Sequence, residues 1–402
     1  MQSQSATASL ASFSIPGEVP MEGHLPWYCF AIVFGAACIP IGALWDISWH
    51  STIGRDTFWT PAHMLIYLGG LLPGISAAIA VYRSTFLKES AEHSASISIL
   101  GLRGPVGAWV TTWGAAAMLV SAPFDNWWHN AYGLDVEILS PPHTLLALGM
   151  YSVALGALLF VLSWQNRLSG PAQRTCSYLF LFTAGVLLTM STIIVTEKSF
   201  PNQQHGALFY KASAVIYPLY LVVAARASKV RWSATITAAI YMAIKLLIIW
   251  ILPLFAASPR LAPIYNPVTH MVPPGFPLLL VLPAFCIDLL IQSVGAKGFA
   301  ANTNKFRDWW LGPLIGMIFM TVFMVVQWHF AKFLLTPAAR NWFFAAGQEW
   351  PYWVKLGDWR FQYWKPDRDV LTLGAAAVAF LLAIVKSRIA LWAASWMTAI
   401  RR

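Results

Sequence analysis

Charge is what this 402-residue chain has least of. Asp, Glu, Lys and Arg together supply 10% of it while 58% is hydrophobic, against roughly 25% charged residues in a soluble domain. That deficit excludes a soluble globular protein and leaves an integral membrane protein. Cysteine is scarce too. The four residues Cys29, Cys38, Cys176 and Cys286 fall in or beside apolar runs and form no C-x-x-C. This argues against a disulfide framework or a thiolate metal site and leaves them as small buried hydrophobes. The N-terminal segment lacks the basic start and apolar centre of a cleaved signal peptide, so the first hydrophobic helix is expected to direct insertion. Haem and flavin signatures are likewise missing, so any redox chemistry would draw its electrons from another protein.

What is present is a series of apolar runs near the 20 residues needed to cross a bilayer. Ten are expected, at 27–46, 60–82, 107–127, 141–164, 177–197, 206–226, 232–255, 274–295, 309–335 and 370–396. The fold class that follows is an all-α polytopic membrane protein. The formal net charge is +10, and short basic stretches follow every even-numbered run: Arg83, Lys88 and Arg103, then Arg167 and Arg174, then Arg226, Lys229 and Arg231, then Lys297, Lys305 and Arg307, and finally Arg401 and Arg402. Basic loops stay on the cytoplasmic side. The chain is therefore expected in the cell inner membrane with both termini cytoplasmic, and its basicity reflects topology, with no nucleic-acid partner. Many of the 21 Trp residues stand at the ends of these runs, where interfacial anchoring accounts for them.

With that orientation, His50, His63, His129, His143, His205, His270 and His329 collect on the periplasmic side, and only His24 and His93 on the other. The richest stretch is DISWHSTIGRDTFWTPAH, residues 46–63. Its outline returns in DNWWHNAYGLDVEILSPPH, residues 125–143. Asp46 aligns with Asp125, Trp49 with Trp128, His50 with His129, Gly54 with Gly133 and Asp56 with Asp135. One extra residue then brings His63 onto His143. The pattern predicts two related helix hairpins, and a duplicated unit of this kind often places a site between its copies. Asp46 and His50, four apart, share a helix face. His63, in the first turn of the next helix after Pro61, faces back across the hairpin. One carboxylate and two imidazoles suit copper, iron or zinc. Asp125, His129 and His143 would form a second such site.

The segment D-x-x-W-H-x-x-x-x-R-D-T-x-x-T-P-x-H resembles the C subunit of the copper membrane monooxygenases, the particulate methane and ammonia monooxygenases. The resemblance covers roughly residues 27–165. It implies that Asp46, His50 and His63 bind copper within the membrane and that Arg55, Asp56 and Thr57 belong to the flanking signature. It also implies a second site at Asp125, His129 and His143, where Asp125 replaces the family's Asn. The domain organisation expected is a polar N-terminus (1–26), a C-subunit-like region (27–165), and further helices (166–402) with an aromatic loop at 336–369 lying on the outer membrane surface as a cap or docking surface.

Asp56, Asp135, Glu197, His205 and His270 are candidates for orienting the ligands from behind, Asp56 as a cap or ion-pair partner. Lys245 and Asp288, deep in their runs, are candidates for an internal ion pair or proton path. Three functions are expected from these residues. One is a copper-dependent, O2-using monooxygenase, or its catalytic subunit, acting on a small apolar substrate with an electron donor or other membrane subunits as partners. Another is a membrane protein that transports or handles copper, zinc or iron. The last is a b-type cytochrome with His63 and His143 as axial ligands.

Overall fold

Backbone amides in hydrocarbon find no water, so an apolar chain must close its hydrogen bonds within itself, and this chain does so as helix. In the computed structural model, residues 24–87, 91–133, 140–297, 305–345, 350–355 and 369–402 are described, and these described residues are 73% helical. The helices are α1 (Trp27–Thr52), α2 (Pro61–Phe86), α3 (Ala91–Ser94), α4 (Val106–Tyr132), α5 (Pro141–Arg167), α6 (Gly170–Ile194), α7 (Ala207–Ala227), α8 (Ser233–Ile251), α9 (Val281–Ser293), α10 (Lys305–Leu334) and α11 (Leu373–Met397). Among the described residues, eight helices are long and apolar enough to cross a membrane.

The two remaining expected spans differ in instructive ways. α4 has 27 residues but falls outside those eight, and its last turns carry Asp125, Asn126, His129 and Asn130. The run at 274–295 forms only the 13-residue α9, about 20 Å of helix against about 30 Å of hydrocarbon. Pro273, Pro274 and Pro277 withhold the amides that an earlier helix start would use. A small departure from an all-helical chain joins α3 to α4, where β1 (Ile97–Ile99) pairs antiparallel with β2 (Leu102–Gly104). Leu100 and Gly101 both take positive φ in its turn, the geometry of tight hairpins.

α1 packs against α2, α4 against α5, and α2 against α4, so the two pairs adjoin. The α4–α5 seam is built on small residues. A Cβ on Gly114 would stand 2.8 Å from the Gly149 carbonyl oxygen, and one on Gly149 would stand 2.9 Å from that of Gly114. Removing side chains lets membrane helices approach to backbone contact. α7, α10 and α11 form a second packed group, and α6, α8 and α9 fill the space between. Phe160, Phe180, Tyr210, Tyr217, Phe319 and Phe323 are fully buried in this interior.

Candidate metal centre

The end of α1 is shaped by one turn. Ile53 and Gly54 both donate their amides to the Trp49 carbonyl, at 2.8 and 3.2 Å, and Gly54 has φ +81°. A left-handed residue just past the last turn is the usual way a helix stops, and glycine adopts it without a Cβ penalty. The connection is then pinned. The Trp49 indole donates to the Arg55 carbonyl at 3.0 Å, and the Thr57 amide donates to Thr60 Oγ1 at 2.8 Å. Pro61 opens α2, which sets His63 in its first turn, facing α1.

There the sequence-predicted triad assembles. Donor atoms of Asp46, His50 and His63 all lie within 4.8 Å of one another. His63 Nε2 is 3.1 Å from Asp46 Oδ1, and His50 Nε2 is 3.7 Å from Asp46 Oδ2. Asp56 Oδ2 stands 3.5 Å from each of the two Nε2 atoms. The side chains of His63 and Asp46 are 20% and 24% exposed, that of His50 47%, so the cluster opens on the His50 side.

The protonation of His63 follows from its other nitrogen. Nδ1 lies 2.9 Å from the Thr57 carbonyl oxygen. A carbonyl only accepts, so Nδ1 carries the proton. In the neutral ring Nε2 is then a lone pair, and it is aimed at the carboxylate of Asp46. Asp46 Oδ1 is buried, and the polar atom facing it at 3.1 Å is His63 Nε2. Lone pair against carboxylate is repulsive unless a cation, either a proton on Nε2 or a metal ion, lies between them. An imidazole that donates one N–H to a backbone carbonyl and presents the other nitrogen is the common arrangement of metal-bound histidine.

The 125–143 stretch shares several of these local features. Gly133 also has positive φ, +87°, Pro141 opens α5, and Ser140 caps it by accepting the His143 amide. Asp125 Oδ1 and His143 Nε2 are 3.4 Å apart. The side chain of His129, and Asp135 altogether, lie outside the described residues. Tyr67, one turn along α2 from His63, is within electrostatic reach of Asp46, Asp56 and Asp125.

The other candidates lie elsewhere or act differently. His205 is fully buried, sets Nε2 3.1 Å from the Trp328 carbonyl oxygen and packs edge-on to the Trp328 ring, on the α10 side. His270 is exposed, its Nδ1 3.0 Å from Thr269 Oγ1. The side chain of Glu197 lies outside the described residues. Asp288 does not meet Lys245 as an ion pair. Its carboxylate instead accepts the amides of Ala234 and Thr235 and the Thr235 hydroxyl, which caps the start of α8.

Residues far along the chain hold the site's frame, and no side-chain motif announced them. Ser48 donates to the Val272 carbonyl at 2.6 Å, and the Val272 amide donates to Thr52 Oγ1 at 2.8 Å. Arg260 donates its amide to the Ile53 carbonyl, and Tyr352 donates its own to that of Ser51. The described part of the 336–369 loop thus fastens to the end of α1. Elsewhere in that loop, the Phe343 carbonyl accepts the Trp250 indole.

On the adjoining face of α1 lies a cavity of about 1080 Å³. Trp45, Trp49, Ile244, Ile248, Phe255 and Met271 are among its walls, with Arg260 and Thr269 also lining it, so it is mostly apolar, and Trp45 and Trp49 are the chain neighbours of Asp46 and His50. No protein-family model, curated protein or solved structure matches the chain.

Proposed function

We propose that this chain is a membrane metalloprotein in which Asp46, His50 and His63 hold a copper ion. We infer further that it is an O2-dependent monooxygenase, or the catalytic membrane subunit of one, hydroxylating a small apolar substrate. The observation that carries the metal reading is His63 Nε2 set 3.1 Å from the buried Asp46 Oδ1, with the other ring nitrogen held by the Thr57 carbonyl, a pair that needs a proton or a metal ion between them. Bound copper would supply one-electron chemistry with dioxygen. Iron or zinc suits the same donor set.

The chain's own residues have definite parts in this reading. The Thr57 carbonyl fixes the tautomer and direction of His63. Asp46 offsets the ion's charge where hydrocarbon makes net charge costly. Trp45 and Trp49 carry the apolar wall up to the ligands' own helix turns, which supports a substrate that partitions from the bilayer. The exposed side of His50 leaves an approach for a small reactant. Asp125, His129 and His143 are the second copper position in the same reading, with the site facing the periplasm and electrons delivered by a partner subunit or donor.

Metal transport ranks second. It requires ligands that continue across the membrane, and Asp288, the deep carboxylate available for that, is committed to capping α8. The deciding experiment is elemental analysis of protein purified in native lipid, alongside His50→Ala and His63→Ala. Copper near one or two ions per chain, lost in the variants, is expected. A metal-free protein, or metal content indifferent to both substitutions, would sink the reading.

A further inference from the structure

Asp56 occupies the connection between the two ligand-bearing helices; its side chain is 39% exposed, and it pairs with two imidazoles instead of capping a helix. The N-cap position of α2 belongs to Thr60. Among the described residues the Asp56 carboxylate meets neither Arg, Lys nor a backbone amide. Its partners are His50 Nε2 and His63 Nε2, each 3.5 Å from Oδ2.

The backbone is fixed on both sides of it. Arg55 is held through its carbonyl by the Trp49 indole, and Thr57 is held at its amide by Thr60 and at its carbonyl by His63. The carboxylate is therefore presented to the imidazole pair by a preformed loop.

Two further arguments converge. Donors bound about 2.0–2.2 Å from one ion lie about 3–3.6 Å apart for angles between square and tetrahedral, and both Asp56 separations fall in that range. Charge points the same way. A divalent ion with one carboxylate and two neutral imidazoles leaves one net positive charge beside hydrocarbon, which is costly, and a second carboxylate brings the site to neutrality.

We propose that Asp56 is a ligand of this centre, making it a two-His, two-carboxylate site that takes a divalent cation. This rests on the reading of Asp46, His50 and His63 as ligands and adds a fourth donor to it. The oxygen donor set then favours the divalent over the monovalent form of copper, and admits zinc, iron or cobalt.

The test uses the full-length protein in detergent, titrated with Co(II), whose visible bands report coordination number and donor type. The wild type is expected to bind Co(II), and Asp56→Asn to bind it about tenfold more weakly or worse with altered bands. Arg55→Ala, which changes a neighbour that contributes only its carbonyl, should leave both unchanged. Asp56→Glu keeps a carboxylate on a longer arm. It should retain binding with shifted bands, and it decides the matter if Asp56→Asn is not recovered folded. Bands unchanged in Asp56→Asn, whether affinity falls or not, place the carboxylate outside the coordination sphere and overturn the proposal while the three-ligand site survives. Wild-type protein that takes up no Co(II) defeats the three-ligand reading itself.

Discussion

Tyr352 donates its backbone amide to the Ser51 carbonyl at 3.1 Å and lays its phenol against Gly54. The glycine that ends α1 is thus constrained twice, by its φ of +81° and by the ring above it. Gly54→Ala should cost about 1–2 kcal/mol from the left-handed backbone alone and more from the collision with Tyr352. A lower melting temperature in detergent and weaker metal retention are expected. Tyr352→Phe added to Gly54→Ala should recover part of the loss, and full stability of the single variant would contradict this account of the turn.

Thr52 is fully buried, donates to the Ser48 carbonyl at 2.6 Å and accepts the Val272 amide. Thr52→Val keeps the shape and strands that amide, at a cost of about 1–3 kcal/mol. Thermal unfolding should show the loss. An unchanged melting temperature would mean that the α1–Val272 connection is not what steadies the site.

His63→Ala should lower metal content far more than His205→Ala, because only His63 presents a nitrogen to Asp46. His205 is buried against Trp328, so its replacement should appear as reduced stability with metal content kept. Equal metal losses from the two variants would show that the ligands have been misidentified.

His205 also predicts an acid sensitivity. Burial lowers its folded-state pKa below the ordinary histidine value, opposed by the Trp328 carbonyl and aided by Lys332. The unfolded ring takes up a proton near about 6.5, while the folded one does so only at lower pH. Between these values the unfolded state binds more protons, so stability falls as pH falls. The contribution is complete above about 6.5 and is lost on acidification. Melting curves from about pH 8 to about pH 5 should show this decline flattened in His205→Gln. An equal decline in both proteins would assign the effect to other groups.

Asp125→Asn tests the second frame. Asp125 and His143 are already 3.4 Å apart, and an amide there offers only a weak, neutral donor in place of a charge that compensates a divalent ion. At equal free metal, stoichiometry should fall from two ions per chain to one. An unchanged stoichiometry would leave Asp125 as a structural anion.

The sequence by itself determined that the chain is a helical membrane protein, because 58% hydrophobic residues in runs of about 20 have few other ways to satisfy their backbones. Local spacing was also enough to bring Asp46, His50 and His63 together. A four-residue step fixes one helix face, and a short connection ending in Pro61 leaves His63 little choice of direction. Composition could not tell that 274–295 would yield only the short α9, since hydropathy does not register amides missing at Pro273, Pro274 and Pro277. Tertiary structure alone decided which way the site's hydrogen bonds run. The Thr57 carbonyl that sets the His63 tautomer and the Ser51 and Ile53 carbonyls that receive Tyr352 and Arg260 are backbone groups, identical at every position until the fold places them. Asp56 was visible as a charge from the start. Whether it would cap a helix, pair with a cation or face two imidazoles depended on loop backbone geometry, which side-chain spacing does not encode.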